Sequence, residues 1–346
     1  MITSVSVKEK ESLKKQKHRA MARVLITGAA GFIGMHTTLR FLKEGFDVIG
    51  LDNMNDYYSV DLKRDRLDEI HRFSMKVDAS FIMYEKDLNS DVWSSLEKLE
   101  IDIVIHLAAQ AGVRYSIENP NAYLYSNILG FQKVLEFVEL KKISYFCYAS
   151  SSSVYGKNSP QPFSENAPCN KPESYYAATK KANELMAYSY YKTKQVHSVG
   201  LRFFTVYGPW GRPDMAPLIF TNAAYSGEEI KVFNHGNQKR DFTFIDDIVE
   251  GVFNLVNSKH AFSGAEVLNI GYGKPSTLGK FIELIEDYSG RKLDKIFVEA
   301  QRGDVAETYA NTARLFELTG YSPQVNLEKG LKETIKWYKD HYKIEQ

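Results

Sequence analysis

The sequence predicts an α/β chain: a parallel sheet with helices on both faces, followed by a smaller C-terminal α/β lobe. Two observations carry this. Short apolar strands alternate with helix-length runs over the first two hundred residues, the rhythm of a sheet covered on both sides. A trio of glycines then follows the first strand directly and opens the first helix. Composition agrees, since 346 residues with 44% hydrophobic, 25% charged and 10 Pro is an ordinary globular chain. Two cysteines, Cys147 and Cys169, exclude a disulfide scaffold and a thiolate metal cluster. No apolar run approaches the roughly 18 residues of a membrane span.

The elements follow in order. Val24 to Thr27 reads as a buried strand, then Phe32 to Lys43 as a helix and Asp47 to Asp52 as the second strand. Further strands are expected from Phe81 to Tyr84, Asp102 to Leu107 and Tyr145 to Tyr148. Helices are expected from Ser90 to Leu99 and from Ala122 to Leu140. A longer helix should span Ser174 to Tyr191, ahead of a strand from Ser198 to Phe204. After Gly208 the rhythm breaks on Pro209, Gly211, Pro213 and Pro217, which is loop chemistry. Helices near Asp246 to Asn257, Leu278 to Tyr288 and Leu327 to Tyr342 complete the chain. We therefore divide it into a basic extension (1–20), a sheet domain (mainly 21–208) and a lobe (mainly 209–346), with some segments returning to the sheet domain.

Charge is uneven. The first twenty residues carry +4 and the remainder −3. A nucleic-acid binder should place its positive charge on the folded body, so no nucleic-acid partner is expected. The extension lacks the apolar core of a secretory signal. It reads as a loose tail, or as a misassigned start ahead of Met21, on a cytoplasmic chain with no membrane partner.

Gly28, Gly31 and Gly34 are spaced GxxGxxG. Gly28 permits a tight turn, Gly31 lets backbone approach a pyrophosphate, and Gly34 lets helix and strand pack closely. The pyrophosphate would sit on the helix N-terminus, with Phe32 and Ile33 beside it. This makes the sheet Rossmann-like. Asp52 ends the second strand, where an acid accepts hydrogen bonds from the adenosine ribose and repels a 2′-phosphate, favouring NAD over NADP. Asn53 adjoins it. Asp87, expected at the end of the third strand, and Leu88 are candidates near the adenine. Leu107, Ala108 and Ala109 end the fourth strand and suit a cofactor lying against backbone.

Tyr176 and Lys180 lie four apart on a predicted helix, hence on one face. A lysine ammonium beside a phenol lowers its pKa and makes a usable base. Ser150, Ser151, Ser152 and Ser153 follow an apolar strand, at the sheet edge where open α/β sheets bind ligands. Their hydroxyls can hold a substrate hydroxyl beside the tyrosine. His106 ends a buried strand and reads as a packing residue. The other histidines show no metal spacing, so no metal is expected.

From Met21 to about Tyr342 the chain resembles the extended short-chain dehydrogenase/reductase family. Within it the chain resembles NAD-dependent nucleotide-sugar epimerases, and most closely UDP-glucuronate 4-epimerases. The resemblance rests on the glycine turn, on Tyr176 to Lys180, and on the segments Asp52 to Tyr58, Gln110 to Arg114 and Leu201 to Ala216. It implies that Tyr176 is the base and that Lys180 holds the nicotinamide ribose. Ser151 would fill the catalytic hydroxyl position, with Ser152 and Ser153 close to the sugar. Thr205 and Arg212 resemble sugar-side and diphosphate-side contacts. Arg240 and Arg302 resemble diphosphate arginines, Asp304 a uridine ribose ligand, and Val232 and Phe233 the strand against uracil. Arg114 either contacts substrate or fixes a loop.

The implied reaction interconverts UDP-glucuronate and UDP-galacturonate through a 4-keto sugar, with NAD transiently reduced. Related dehydratases place Asp-Glu where Ser152 and Ser153 stand, and decarboxylases usually place Glu at 153, so serines at both positions argue against either. Thr308 falls where bacterial UDP-galactose epimerases carry a tyrosine. That leaves UDP-N-acetylglucosamine and UDP-glucose 4-epimerases as alternatives, besides a non-catalytic NAD-binding regulator. A homodimer is expected, pairing the helices from Ala122 and from Ser174 across a two-fold axis, with Tyr123, Tyr125, Phe131 and Tyr188 available to bury there.

Overall fold

A computed structural model describes residues 22–258, 263–299 and 305–344. The basic extension and two of the candidate ligands, Arg302 and Asp304, lie outside the described residues. Seven parallel strands form one sheet in the order β11-β6-β5-β4-β1-β2-β3. These are β1 (Arg23–Thr27), β2 (Asp47–Asp52), β3 (Phe81–Glu85), β4 (Ile103–His106), β5 (Tyr145–Ser151), β6 (Ser198–Phe203) and β11 (Ala265–Ile270). Side chains alternate along each strand, so successive residues feed opposite faces. From β1, Val24 and Ile26 enter one core with Met35, Phe41 and Phe253. Leu25 enters the other with Phe131, Leu135 and Phe146.

Helices α1 (Phe32–Lys43), α2 (Val60–Ser74), α3 (Gly130–Lys141) and α4 (Tyr175–Lys194) connect these strands, and α5 (Ile245–Asn257) also packs on the sheet. Helix α2 is not expected from the sequence. Its run is dominated by charge, and its buried face uses Lys63 and Arg66 among Leu62, Leu67 and Ile70. Ser59 starts it by accepting a hydrogen bond from Leu62 N. The helix expected from Ser90 shrinks to Val92–Leu96. The one expected from Ala122 to Leu140 is broken. A short helix, Pro120–Tyr123, leads into a π-helical turn, Leu124–Leu129, before α3 begins. The turn swings Asn127 inward, where its amide reaches Gln110 O and Thr179 Oγ1. Strand β5 continues three residues past the expected end, so Ser150 and Ser151 belong to the strand.

The lobe is built from small pieces. Strand β7 (Thr205–Tyr207) pairs β10 (Phe242–Phe244); β8 (Ile230–Phe233) pairs β13 (Lys295–Val298); β9 (Lys239–Arg240) lies between β12 (Ser276–Thr277) and β14 (Glu307–Thr308). Helices α6 (Leu278–Ser289) and α7 (Leu327–His341) close a separate core around Tyr207, Phe242, Phe281 and Ile335. Strands this short supply few ladder bonds, and two buried carboxylates supply others. Asp241 accepts from Thr243 Oγ1, Tyr272 N, Gly273 N and Ala310 N. Asp247 accepts from the Tyr321 hydroxyl, Gln324 N and Val325 N. Meanwhile β11, coded after β10, crosses back and completes the large sheet beside β6.

Candidate active site

A cleft of about 1050 Å³ runs between the C-terminal edge of the sheet and the lobe. Its floor is the glycine turn. Gly28 has φ +73°, and a Cβ there would lie 2.7 Å from Ala108 N. A Cβ on Gly34 would lie 1.9 Å from Gly28 O, so only glycine lets α1 pack this closely on the turn. No side chain caps the first turn of α1 at Gly31. Phe32, Ile33, Leu107, Ala108 and Ala109 line the same end of the cleft.

Asp52 sits at the cleft wall. It accepts from Ala30 N at 3.2 Å and Met54 N at 2.9 Å. Burial pushes its pKa up, while Lys63 and these amides act against the shift. Lys63, on α2, also lines the cleft and donates to Asn55 O. Asn53 Nδ2 donates to Asp87 Oδ2 at 2.8 Å, which fixes the two together. Asp87 stands two residues beyond β3 rather than at its end, in a turn that also bonds Asn89 N. Leu88 beside it is buried against Gly130. The glycine turn, an acid at the cleft wall and small residues at the strand end fit a dinucleotide.

The opposite end gathers the serine hydroxyls, Tyr176 and Lys180. Ser151 ends β5, and its hydroxyl accepts from Ser153 N at 3.2 Å and from Ser153 Oγ at 2.9 Å. Tyr176 lies in the first turn of α4, which Ser174 caps. Burial raises the Tyr176 pKa, while a hydrogen bond from Ser151 and the positive charge of Arg212 hold it down. The lowering influence expected of Lys180 thus comes from Ser151 and Arg212. Lys180 instead donates to Ala149 O at 2.8 Å, and burial pushes its pKa down to about 7. Ser152 lines the cleft as well. Ser150 turns away: it is buried and donates to Glu184, which also pairs with Arg202 at 2.8 Å. His106 is buried against Thr27 Oγ1 at 2.7 Å, and its pKa falls to about 3 through burial.

The lobe brings Thr205, Arg212, Phe233 and Arg240 to the cleft. Val232 is different. Alternation along β8 sends its side chain into the lobe core, where it is 1% exposed, while Phe233 faces the cleft. Arg114 spans the cleft mouth, its guanidinium 4.8 Å from the Phe233 ring centroid. Arg240 bonds Gln238 Oε1 and Lys239 O. Arg212 forks onto Asp214, at 3.0 Å and 2.6 Å, and reaches Ala111 O at 3.1 Å. Thr308 pairs with Arg240 on the neighbouring strand.

Sequence reasoning missed Asp214, Tyr57, Lys63 and Arg66. Burial and then the Asp214 carboxylate push the Tyr57 pKa up, with the charge of Arg212 opposing. Arg66 is fully buried and ties the Trp210–Gly211 backbone to Ala30 O. Asp214 and Tyr57 stand within segments that carry the family resemblance. Lys63 and Arg66 had no local signal, because their helix was not recognised.

The chain is 45% identical over 340 residues to Protein CapI of Staphylococcus aureus, covering 93% of this chain and 99% of that protein. It is 41% identical over 339 residues to a probable UDP-glucuronate 4-epimerase of Rhizobium meliloti, covering 93% and 98%. Its fold matches the crystal structure of UDP-glucuronic acid 4-epimerase from Bacillus cereus in complex with UDP-glucuronic acid and NAD. That match has a TM-score of 0.85 and 33% identity, and covers 92% of this chain and all of that one. No helix among the described residues is long and apolar enough to cross a membrane. The model of the NAD dependent epimerase/dehydratase family matches residues 24–271, and the chain belongs to that family.

Proposed function

We propose that this chain is a UDP-glucuronate 4-epimerase, interconverting UDP-glucuronate and UDP-galacturonate with NAD as its resident cofactor. One observation carries the reading. Tyr176 and Ser151 both line the cleft, and the two positions after Ser151 are hydroxyls rather than carboxylates. A base for the sugar hydroxyl is present, and no acid stands there to take a proton from C5. The relatives named above lend support at the level of the whole chain.

The residues divide the work. NAD, when bound, supplies reversible hydride transfer at C4 of the sugar. Tyr176 takes the proton from the C4 hydroxyl and returns it on the other face. Ser151 holds that hydroxyl and keeps the tyrosine's pKa from rising further. Lys180 supplies ammonium donors to the ribose side. Asp52, with the Gly28–Gly34 turn, receives the adenosine half. Thr205, Arg212 and Arg240 hold the sugar nucleotide, with Phe233 against the base. Arg212 suits the carboxylate or diphosphate because its planar fork matches either. A turnover that presents both sugar faces needs the nucleotide anchored and the sugar loosely held. We assign the sheet domain mainly to cofactor and the lobe mainly to sugar nucleotide, with β11 and α5 serving the sheet.

We further propose a homodimer along the π-helical turn and α4. Leu124, Tyr125, Leu129, Leu185 and Tyr188 are exposed there. Tyr123 and Phe131 are wholly buried within their own chain and leave that face. Sedimentation showing only monomer at micromolar concentration would remove this proposal.

The test of the activity is a time course without added cofactor. The purified protein is incubated separately with UDP-glucuronate, UDP-glucose and UDP-N-acetylglucosamine. The expected product is an isomer of unchanged mass from UDP-glucuronate alone, co-eluting with UDP-galacturonate. Loss of carbon dioxide would make it a decarboxylase. Isomerisation of only the other sugars would keep the chemistry and move the substrate.

A further inference from the structure

Arg66 is wholly buried, yet none of its five hydrogen bonds among the described residues goes to a carboxylate. A guanidinium has five N–H donors. Here Nε and Nη2 donate to Trp210 O at 3.1 Å and 2.7 Å, and Nη2 also donates to Gly211 O at 2.9 Å. Nη1 donates to Ala30 O at 3.1 Å and to the Tyr58 hydroxyl at 2.7 Å. One side chain thus joins three segments distant in sequence: the cofactor turn, the loop after β2, and the loop that ends in Arg212. Burying a charge among carbonyls is costly for stability, so the arrangement calls for another use.

The third segment explains it. Trp210 has φ +62°, a left-handed conformation that costs a non-glycine residue energy. His36 holds Pro209 O at 3.0 Å, and the rings of Trp337 and His341 close on Trp210 at 5.2 Å and 4.8 Å. Two residues later Arg212 enters the cleft, near enough to Tyr176 to lower its pKa. We propose that Arg66 is a positioning residue, which clamps the strained Trp210–Gly211 backbone onto the cofactor turn and thereby aims Arg212 at the sugar nucleotide. This rests on the reading of Arg212 as a substrate contact.

The test is a double-mutant cycle. Arg66→Met and Arg66→Lys are each made alone and with Arg212→Ala, beside Arg40→Met, which breaks a surface pairing with Glu44 and Glu250 away from the cleft. Lysine keeps the charge but cannot reach three segments as a planar fork. For the folded fraction, kcat/KM for UDP-glucuronate should fall about tenfold in both Arg66 variants and change less than about twofold in Arg40→Met. In the Arg212→Ala background, either Arg66 change should cost less than about twofold more. A merely structural role predicts full multiplication of the two losses, and that outcome overturns the proposal. So does an Arg66→Lys variant with wild-type kcat/KM. Calorimetric binding of UDP-glucuronate to the same proteins gives the second readout. If the wild type binds UDP-glucuronate without converting it, the activity reading fails and the cycle is still decided on affinity. If it converts UDP-glucuronate but the losses multiply, only the positioning role fails. A wild type that does neither overturns both.

Discussion

On the sheet side of the cleft, Ser151 and Tyr176 come from a strand end and a capped first helical turn, and their placement follows from local geometry. On the lobe side, Arg212 stands on a loop bound by Arg66 and His36, residues 144 and 173 positions distant from the backbone they hold. The first side needs only regular elements in register. The second exists only once α1, α2 and the loop have docked. The groups proposed to react thus sit on a wall specified by local elements, and the groups proposed to select the ligand sit on a wall held by long-range contacts.

The comparison breaks most visibly at Tyr176. Tyr176→Phe should lower kcat for UDP-glucuronate by about a thousandfold or more while NAD stays bound, since one proton-transfer group is lost and no packing. Assay of turnover with bound-cofactor content checks this, and a mutant retaining most of its activity would reject the role.

The serines offer a paired test within the sheet side. Ser151→Ala should cut kcat by roughly a hundredfold, the scale of losing one positioned donor to a reacting oxygen. Ser150→Ala should leave kcat within about twofold and cost about 1 kcal/mol of stability, because its partner Glu184 keeps Arg202. Steady-state kinetics and denaturant titration separate the two. Equal effects on kcat would mean that the strand edge acts as a unit.

Asp52→Ala asks whether the cofactor end is as locally determined as the serine end. NAD affinity should fall about tenfold, the value of one good charged hydrogen bond, and discrimination against NADP should weaken. Unchanged affinity for both in fluorescence titration would place the ribose elsewhere.

The assembled side is tested by stability rather than by turnover. Burial pushes the His36 pKa down to about 4 from 6.5, with its bond to Pro209 O opposing and the charge of Arg66 adding to the shift. The unfolded chain therefore binds a proton that the folded chain refuses between these values. Stability from this group is complete above pH 6.5 and is lost as pH falls toward 4. His36→Gln should flatten the stability profile over that window, read by denaturation at pH 7 and pH 5. His106 will leave a residual slope of the same sign. An unchanged profile would show that His36 carries no linkage.

Sequence reading succeeded where a signal is local and periodic. The glycine turn, Phe32–Lys43 and the placing of Tyr176 and Lys180 on one helix are read from spacing together with the strands around them. It failed where burial overrides composition. Helix α2 hides Lys63 and Arg66 in its inner face, so its apolar stripe is too thin to read. The π-helical turn inserts a register shift that no propensity encodes. The lobe-side loop depends on partners that only the tertiary fold brings near. Val232 was misplaced for a simpler reason: adjacent strand residues face opposite ways, and the resemblance did not fix which of the pair faced the cleft.

The late return of β11 also bears on synthesis. Every residue of β6 is buried beside a strand that leaves the ribosome only after β7 to β10 have emerged. Until residue 270 is released, a nascent chain holds an open apolar edge, the kind that recruits other chains. The seven-stranded sheet thus cannot be finished cotranslationally before the lobe is begun, and a stalled or truncated product ending near residue 258 should be a substrate for chaperones rather than a working half-enzyme.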